Sequence, residues 1–295
     1  MKILVTGGSG FIGTSVIDNL INTDHKILAI SRKKKKSINN ITWVKADLSK
    51  KKSYSQYVIN FNPEVIIHFY WDKIPNFSKK ISNQNLKNSK NFFEFLFKKT
   101  ECKKLIISGS CFEYSKKIGS CNERQKCIPK DYFTSSKLNL LEWTKKNSKK
   151  YNYDFAWFRI FYAYGLKQRK DSLIPYIIRS LKNREKLNLS NPYANLDFIN
   201  IEDVSKYIIK SIDVKFRSGI YNIGSGKSIQ IIKIYKIIKK ILLLKNDQYF
   251  DYKKISVNLK KNLDFYADIT KSVKTFNIKN KISIKEGISK IINEN

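Results

Sequence analysis

The sequence predicts an α/β chain: a doubly wound parallel sheet followed by a smaller C-terminal lobe. Three observations carry this. Five short apolar runs rich in β-branched residues fall within the first 110 residues: "KILVT" (2–6), "KILAI" (26–30), "ITWVK" (41–45), "EVIIHF" (64–69) and "KLIIS" (104–108). Helical patterns separate most of them; in "FIGTSVIDNLI" the apolar residues at 12, 16, 17, 20 and 21 share one helix face. Glycines at 7, 10 and 13, in "VTGGSGFIG" (5–13), sit between the first strand and the first helix. Apolar strands alternating with helices imply a parallel sheet covered on both faces. Right-handed crossovers make it doubly wound.

The elements follow in order. The lysine run 33–36 reads as a solvated loop after the second strand. After about residue 165 the rhythm loosens. "SLIPYIIRSLKNRE" (172–185) and "IEDVSKYIIKSI" (201–212) read as helices, and "GIYNIG" (219–224) as a strand and turn. "IIKIYKIIKKILLLK" (231–245) carries lysines at helical spacing and reads as an amphipathic helix rather than a membrane span. The C-terminal third shows helical patterns and few strands. No internal repeat or long linker interrupts the chain.

The composition bounds the function. The chain has 295 residues, 42% hydrophobic and 28% charged, enough for one large core with a smaller lobe. The apolar segment of "MKILVTGG" is too short for a signal-peptide core, so a cytoplasmic protein is expected. Cys102, Cys111, Cys121 and Cys127 form no C-x-x-C pair, and His25 and His68 lie far apart, which argues for structural thiols and no metal. The net charge of +34 alone would suggest nucleic acid. However, the lysines are spread through the whole chain. They come with many Ile, Asn, Tyr and Phe residues, a set that AT-rich codons specify. No nucleic-acid partner is expected.

The glycine spacing points to a dinucleotide. Gly7 permits a tight turn, Gly10 lets backbone approach a pyrophosphate, and Gly13 lets helix and strand pack closely. The helix N-terminus offers free N–H groups to phosphate. At the end of the second strand, where an acid would bind the ribose 2′-hydroxyl of NAD, stand Ser31 and Arg32. Arg32 either pairs with the 2′-phosphate of NADP or belongs to the basic loop. Asp47 either contacts the adenine or caps the next helix.

With these landmarks the chain resembles the extended short-chain dehydrogenase/reductases, the NAD(P)-dependent epimerase/dehydratase family that modifies nucleotide sugars. "TGGSGFIG", "KADLS" (45–49), "VIIHFYW" (65–71) and "ISGSCFEYS" (107–115) match its successive strand ends, and Asn85 fits its helix asparagine. "FRIFYAYG" (158–165), "LDFINIEDV" (196–204), "GIYNIGSG" (219–226), "YADITK" (266–271) and "SIKEGI" (283–288) fit later landmarks. The resemblance implies a Rossmann domain over 1–165, rejoined by 196–224, and a substrate lobe from 166–195 and 225–295. It implies cofactor contacts from Gly7, Gly10, Phe11, Ile12, Gly13, Arg32, Asp47, Leu48, Phe69 and Lys137. Substrate contacts would come from Cys111, Tyr162 and Asp197, and catalysis from Ser110, Tyr132 and Lys137. Relatives often dimerise through two helices, here those near 82–99 and 132–150, so a homodimer is expected.

The sequence departs from the family at its reaction centre. The family needs a tyrosine four residues before a lysine, on one helix face. In "DYFTSSKLNLLEW" (131–143) Phe133 stands four residues before Lys137, and Tyr132 five. Either Phe133 fills the tyrosine position, or a one-residue helix bulge brings Tyr132 into it. If the tyrosine is missing, Tyr162 or Tyr164 could substitute. Cys111 and Phe112 replace the Asp-Glu pair of the 4,6-dehydratases, which argues against water loss. Leu196 stands where relatives often carry an arginine for the substrate diphosphate; Lys167 or Arg169 are alternatives. "GSCFEYS" resembles the CDP-abequose synthase-like reductases. The expected function is NADP- or NAD-dependent reduction of a nucleotide-linked 4-keto-6-deoxy sugar in surface polysaccharide biosynthesis. The alternatives are a nucleotide-sugar epimerase and a non-catalytic dinucleotide-binding relative.

Overall fold

In the first strand Ile3, Leu4 and Val5 are fully buried, since side chains alternate faces and both faces are covered. The structure, a computed structural model, describes residues 1–21, 23–115, 118–245, 249–250 and 263–294. Its central sheet joins β1 (Lys2–Thr6), β2 (Lys26–Ser31), β3 (Ile41–Lys45), β4 (Val65–His68), β5 (Lys104–Ser110), β7 (Asp154–Ile160) and β11 (Gly219–Ile223). The spatial order is β3–β2–β1–β4–β5–β7–β11, and every neighbouring pair is parallel.

Helices cover the two faces. Ile3 and Val5 pack with Val16, Ile17 and Leu20 of α1 (Phe11–Leu20) and with Val204 and Ile208 of α6 (Ile201–Asp213). Leu4 and Ile66 face a second core with Tyr54 and Val58 of α2 (Lys51–Phe61). Phe92, Phe93 and Leu96 of α3 (Lys79–Lys99) and Leu140 and Leu141 of α4 (Tyr132–Tyr151) complete it. The strand order reverses beside β1. The chain runs outward to β2 and β3, then crosses back to β4. The loops at the C-terminal ends of β1 and β4 therefore part, and a crevice opens between them.

The second lobe has its own core. A four-stranded sheet, ordered β12 (Ile229–Gln230), β9 (Asn195–Leu196), β13 (Asp264–Ala267), β6 (Ile118–Cys121), packs with α5 (Leu173–Lys182), α7 (Ile231–Ile241) and α9 (Ile284–Asn293). A short parallel pair, β8 (Tyr162–Tyr164) with β10 (Phe198–Asn200), joins the lobes.

Two segments cross the boundaries expected from the sequence. β6 lies within 1–165 yet pairs in parallel with β13 of the lobe. The helix α8 (Thr270–Phe276) lies within 225–295. Its fully buried Phe276 packs on Phe158 and Tyr221 of the central sheet, with ring centroids 5.5 and 5.0 Å away. The helix follows Phe276 to the central core, whereas β6 sends only Cys121 into the core of the lobe and leaves Ile118 in solvent.

Candidate active site

The crevice at the strand reversal is a cleft of about 900 Å³. Its floor is the turn after β1. Gly7 takes φ +71°, and a Cβ there would come within 2.6 Å of the Phe69 carbonyl carbon. A Cβ on Gly13 would overlap the Gly7 carbonyl oxygen. Both positions therefore demand glycine. The Gly10 N–H donates to Gly7 O at 3.0 Å and closes the turn. Helix α1 starts at Phe11, and no side chain caps its first turn. Its N–H groups face the cleft end occupied by Gly10, Phe11, Ile12 and Gly13, a setting suited to a pyrophosphate. The cradle fits a dinucleotide.

The adenosine side is built from the ends of β2 and β4. Arg32 lines the cleft together with Leu48 and Phe69. The guanidinium makes a two-pronged pair with Asp72, at 2.7 and 2.9 Å. Buried Asn85 holds Asp72 in place: its Oδ1 accepts from the Asp72 N–H at 2.8 Å, and its amide donates to the Asp72 carbonyl at 3.1 Å. Asp47 is not in the cleft wall. Its Oδ1 accepts from the Ser49 N–H and hydroxyl, both at 2.8 Å, in a local turn before α2. Partial burial opposes its charge, but the Ser49 hydrogen bonds and Arg32 outweigh it and hold the carboxyl below its ordinary range.

The opposite end gathers Ser108, Gly109 and Ser110 from β5 with Phe133 and Lys137 from α4. Asp131 caps α4 by accepting from the Thr134 N–H at 2.7 Å, and the helix then runs without a bulge through Tyr151. Tyr132, one of the two alternatives for the tyrosine position, therefore stands outside the cleft wall, and Phe133 lines it. Tyr132 is 52% exposed, with the Lys79 ammonium 6.0 Å from its ring. Phe133 is 6% exposed and packs against Trp71 and Phe77, with centroids 5.6 and 4.6 Å away. In a straight helix, positions four apart share a face, while adjacent ones diverge by about 100°.

Lys137 is buried. Its Nζ donates to the Ser108 carbonyl at 2.8 Å and lies 4.1 Å from the centre of the Trp71 ring. Burial pushes its pKa down to about 8, against the attraction of the Glu113 carboxylate. Ser110 caps the short turn Cys111–Glu113: its Oγ accepts from the Phe112 N–H at 3.2 Å. Its N–H donates to Glu113 at 2.8 Å. Fully buried Glu113 also accepts from Trp157 Nε1 at 3.0 Å and Arg159 Nε at 2.8 Å. An ion pair beneath the active-site strand thus fixes Ser110.

Three residues expected at the substrate stand outside the cleft wall. Cys111 is buried in the core of the second lobe. Tyr162 packs among Phe112, Phe198 and Phe265, and burial raises its pKa. Asp197 is fully buried and accepts from Ser225 N and Oγ at 2.6 Å, Ala267 N at 3.0 Å and Gly226 N at 3.1 Å. It ties β9 to β13 and to the turn after β11. Tyr164 is also buried, its hydroxyl donating to Ser283 O at 3.3 Å. Lys73, Lys167 and Arg169 do line the cleft. Among the described residues no cluster of three His, Cys, Asp or Glu side chains could hold a metal. No helix among them is long and apolar enough to cross a membrane.

Trp71, Asp72 and the Glu113–Arg159 pair are site features the sequence reading did not assign. The bulky "YW" after β4 was the visible signal for Trp71. Nothing local marks Glu113 and Arg159, which are 46 residues apart.

Comparison with known proteins fixes the class of protein. Residues 3–224 match the NAD dependent epimerase/dehydratase family, and the chain belongs to that family. The family is one of enzymes, the extended short-chain dehydrogenase/reductases, and the cofactor is a nicotinamide dinucleotide. Among its relatives is CDP-abequose synthase of Salmonella muenchen, 28% identical over 249 residues, covering 81% of this chain and 80% of the relative. A putative UDP-glucose 4-epimerase of Methanocaldococcus jannaschii is 25% identical, covering 99% and 97%. The fold is similar to the crystal structure of UDP-glucose 4-epimerase from Thermotoga maritima with UDP-glucose. There the TM-score is 0.85 at 19% identity, over 99% of this chain and 98% of that one.

Proposed function

We propose that the protein is an NADP-dependent reductase of a nucleotide-linked 4-keto-6-deoxy sugar, acting in the cytoplasm in surface polysaccharide biosynthesis. The observation that carries the reading is Arg32 in the cleft wall, where an acid would favour NAD. A net reduction draws on NADPH. Similarity to CDP-abequose synthase supports a reductase, and similarity to an epimerase keeps that reaction as the alternative. When bound, the cofactor supplies a hydride beside the keto carbon. Gly7 to Gly13 would hold its pyrophosphate, Lys137 its nicotinamide ribose, and Ser110 the sugar oxygen. The lobe formed by 166–195 and 225–295 would take the nucleotide, with Lys167 and Arg169 near its diphosphate. Self-association would use the adjacent helices α3 and α4, which light scattering can test.

Phe133 in the cleft favours a second reading, a relative that binds cofactor without turnover. Two measurements decide. Calorimetry should give about tenfold tighter binding of NADPH than NADH, reversed by Arg32→Asp, as expected for a guanidinium–phosphate pair. Oxidation of NADPH should accompany reduction of at least one nucleotide 4-keto-6-deoxy sugar. Equal affinities unaffected by the substitution would sink the NADP assignment. Cofactor binding without turnover across the sugar panel would establish the non-catalytic relative.

A further inference from the structure

If the protein is a reductase, the carbonyl oxygen must receive a proton, and the position that carries a phenol in the family is a phenylalanine. The phenols near the cleft are otherwise engaged. Tyr132 points to solvent, Tyr162 lies in an aromatic cluster outside the wall, and Tyr164 donates to Ser283. Tyr70 does line the cleft, and its hydroxyl accepts from Asn88 at 2.9 Å. The charges acting on it are Asp72, Asp47 and Arg32, which places it at the adenosine end, and burial raises its pKa.

Resting on the reductase reading, we propose that the Lys137 ammonium itself donates the proton to the carbonyl oxygen. Its geometry suits the task. Of its three N–H bonds, one is committed to the Ser108 carbonyl at 2.8 Å, which leaves one for the nicotinamide ribose and one for the substrate carbonyl oxygen. The charge rests 4.1 Å from the centre of the Trp71 ring, whose face attracts a cation without competing for its proton. The side chain lines the same cleft as Ser110 and Phe133. The charged groups that act on it are few. Glu113, from the turn after β5, favours the ammonium but is already held by Arg159 of β7 at 2.8 Å. His68 of β4 is buried between Thr6 Oγ1 at 2.8 Å and Ser89 Oγ at 3.1 Å. Burial, then Lys137, hold it well below its ordinary pKa, hence neutral. Arg32, Asp72, Lys73, Lys167 and Arg169 share the cleft. Burial brings the ammonium to a pKa of about 8, within reach of neutral pH, where general acids work best.

The step balances. The keto carbon takes a hydride from a reduced nicotinamide dinucleotide, which is oxidised. The C=O π pair moves to oxygen, an N–H bond of Lys137 breaks and an O–H bond forms. The ketone becomes an alcohol, and the neutral amine regains its proton from water.

The test has a readout without substrate. Competitive acetylation of the whole protein over pH 6–11, read by peptide mass spectrometry, should give Lys137 a midpoint near 8. A free lysine titrates near ~10.4. With NADPH and the sugar it reduces, kcat should fall above the same pH, and Lys137→Arg should lower kcat by about 100-fold or more. An ordinary midpoint, a kcat flat from pH 7 to 10, or an arginine variant with over half the wild-type rate overturns the proposal and leaves the reductase standing. Absence of turnover on every sugar overturns both. The wild-type profile keeps the test valid if the arginine variant does not fold.

Discussion

The two ends of the cleft are built from different materials. The dinucleotide end is backbone: a glycine turn, a helix start without a side-chain cap, and two positions where a Cβ has no room. The reactive end is side chains: Lys137 and Ser110, walled by Phe133 and Trp71 and supported by the Glu113–Arg159 pair. A backbone site tolerates almost no change at its glycines. A side-chain site keeps its shape when one group is exchanged, so the family phenol can give way to Phe133 while the cleft persists.

Breaking the support of the reactive end should have the largest effect. Glu113→Ala leaves Arg159 buried and unpaired and removes the acceptor of Ser110 N and Trp157 Nε1. A loss of about 3–5 kcal/mol in urea unfolding is expected. A change under ~1 kcal/mol would mean that the pair contributes little.

Breaking the backbone end should spare the fold and remove the ligand. Gly13→Ala drives a methyl into the Gly7 carbonyl and must shift the turn. Dinucleotide affinity should fall by about 100-fold or more, on the order of 2.7 kcal/mol. The circular dichroism spectrum should stay that of the wild type. Unchanged affinity would show that the turn does not hold the pyrophosphate.

A smaller effect separates the two ends by pH. Folding lowers the Lys137 pKa from 10.5 to about 8, so between these values the unfolded chain holds a proton that the folded chain has released. Stability from this group therefore rises with pH through that window, and its burial is costly below it. Lys137→Met should stabilise the protein at pH 7 by about 2 kcal/mol: the fall from 10.5 to about 8 is worth roughly 3.5 kcal/mol at about 1.4 per pKa unit, and leaving the Ser108 carbonyl without its donor takes back about 1.5. The gain should vanish above pH 10.5. A gain that does not change with pH would place its cause in packing.

The same contrast explains what the sequence made legible. Glycine spacing between a strand and a helix is a local pattern, and the six central strands legible in the sequence match those observed to within a few residues, while β7 is not among them. Lys137 and Phe133 were legible as a spacing, but only an unbroken helix decides which aromatic faces the cleft. Cys111, Tyr162 and Asp197 looked like substrate contacts because their motifs are right, whereas their exposure depends on the second lobe. Its strands β9 and β12 are two residues long, too short for any alternation to register, and they escaped notice. Arg32 was visible, but not its Asp72 partner 40 residues on.

The central claim is that a reductase works with a phenylalanine in the tyrosine position. Its most direct test is NADPH-dependent turnover of nucleotide 4-keto-6-deoxy sugars by wild type, Tyr132→Phe and Phe133→Tyr. Wild type should turn over slowly, Tyr132→Phe should match it within about twofold, and Phe133→Tyr should gain about tenfold or more, since general acid help is worth about 100- to 10,000-fold. A large loss in Tyr132→Phe, or no turnover by any of the three with cofactor bound, would contradict the account.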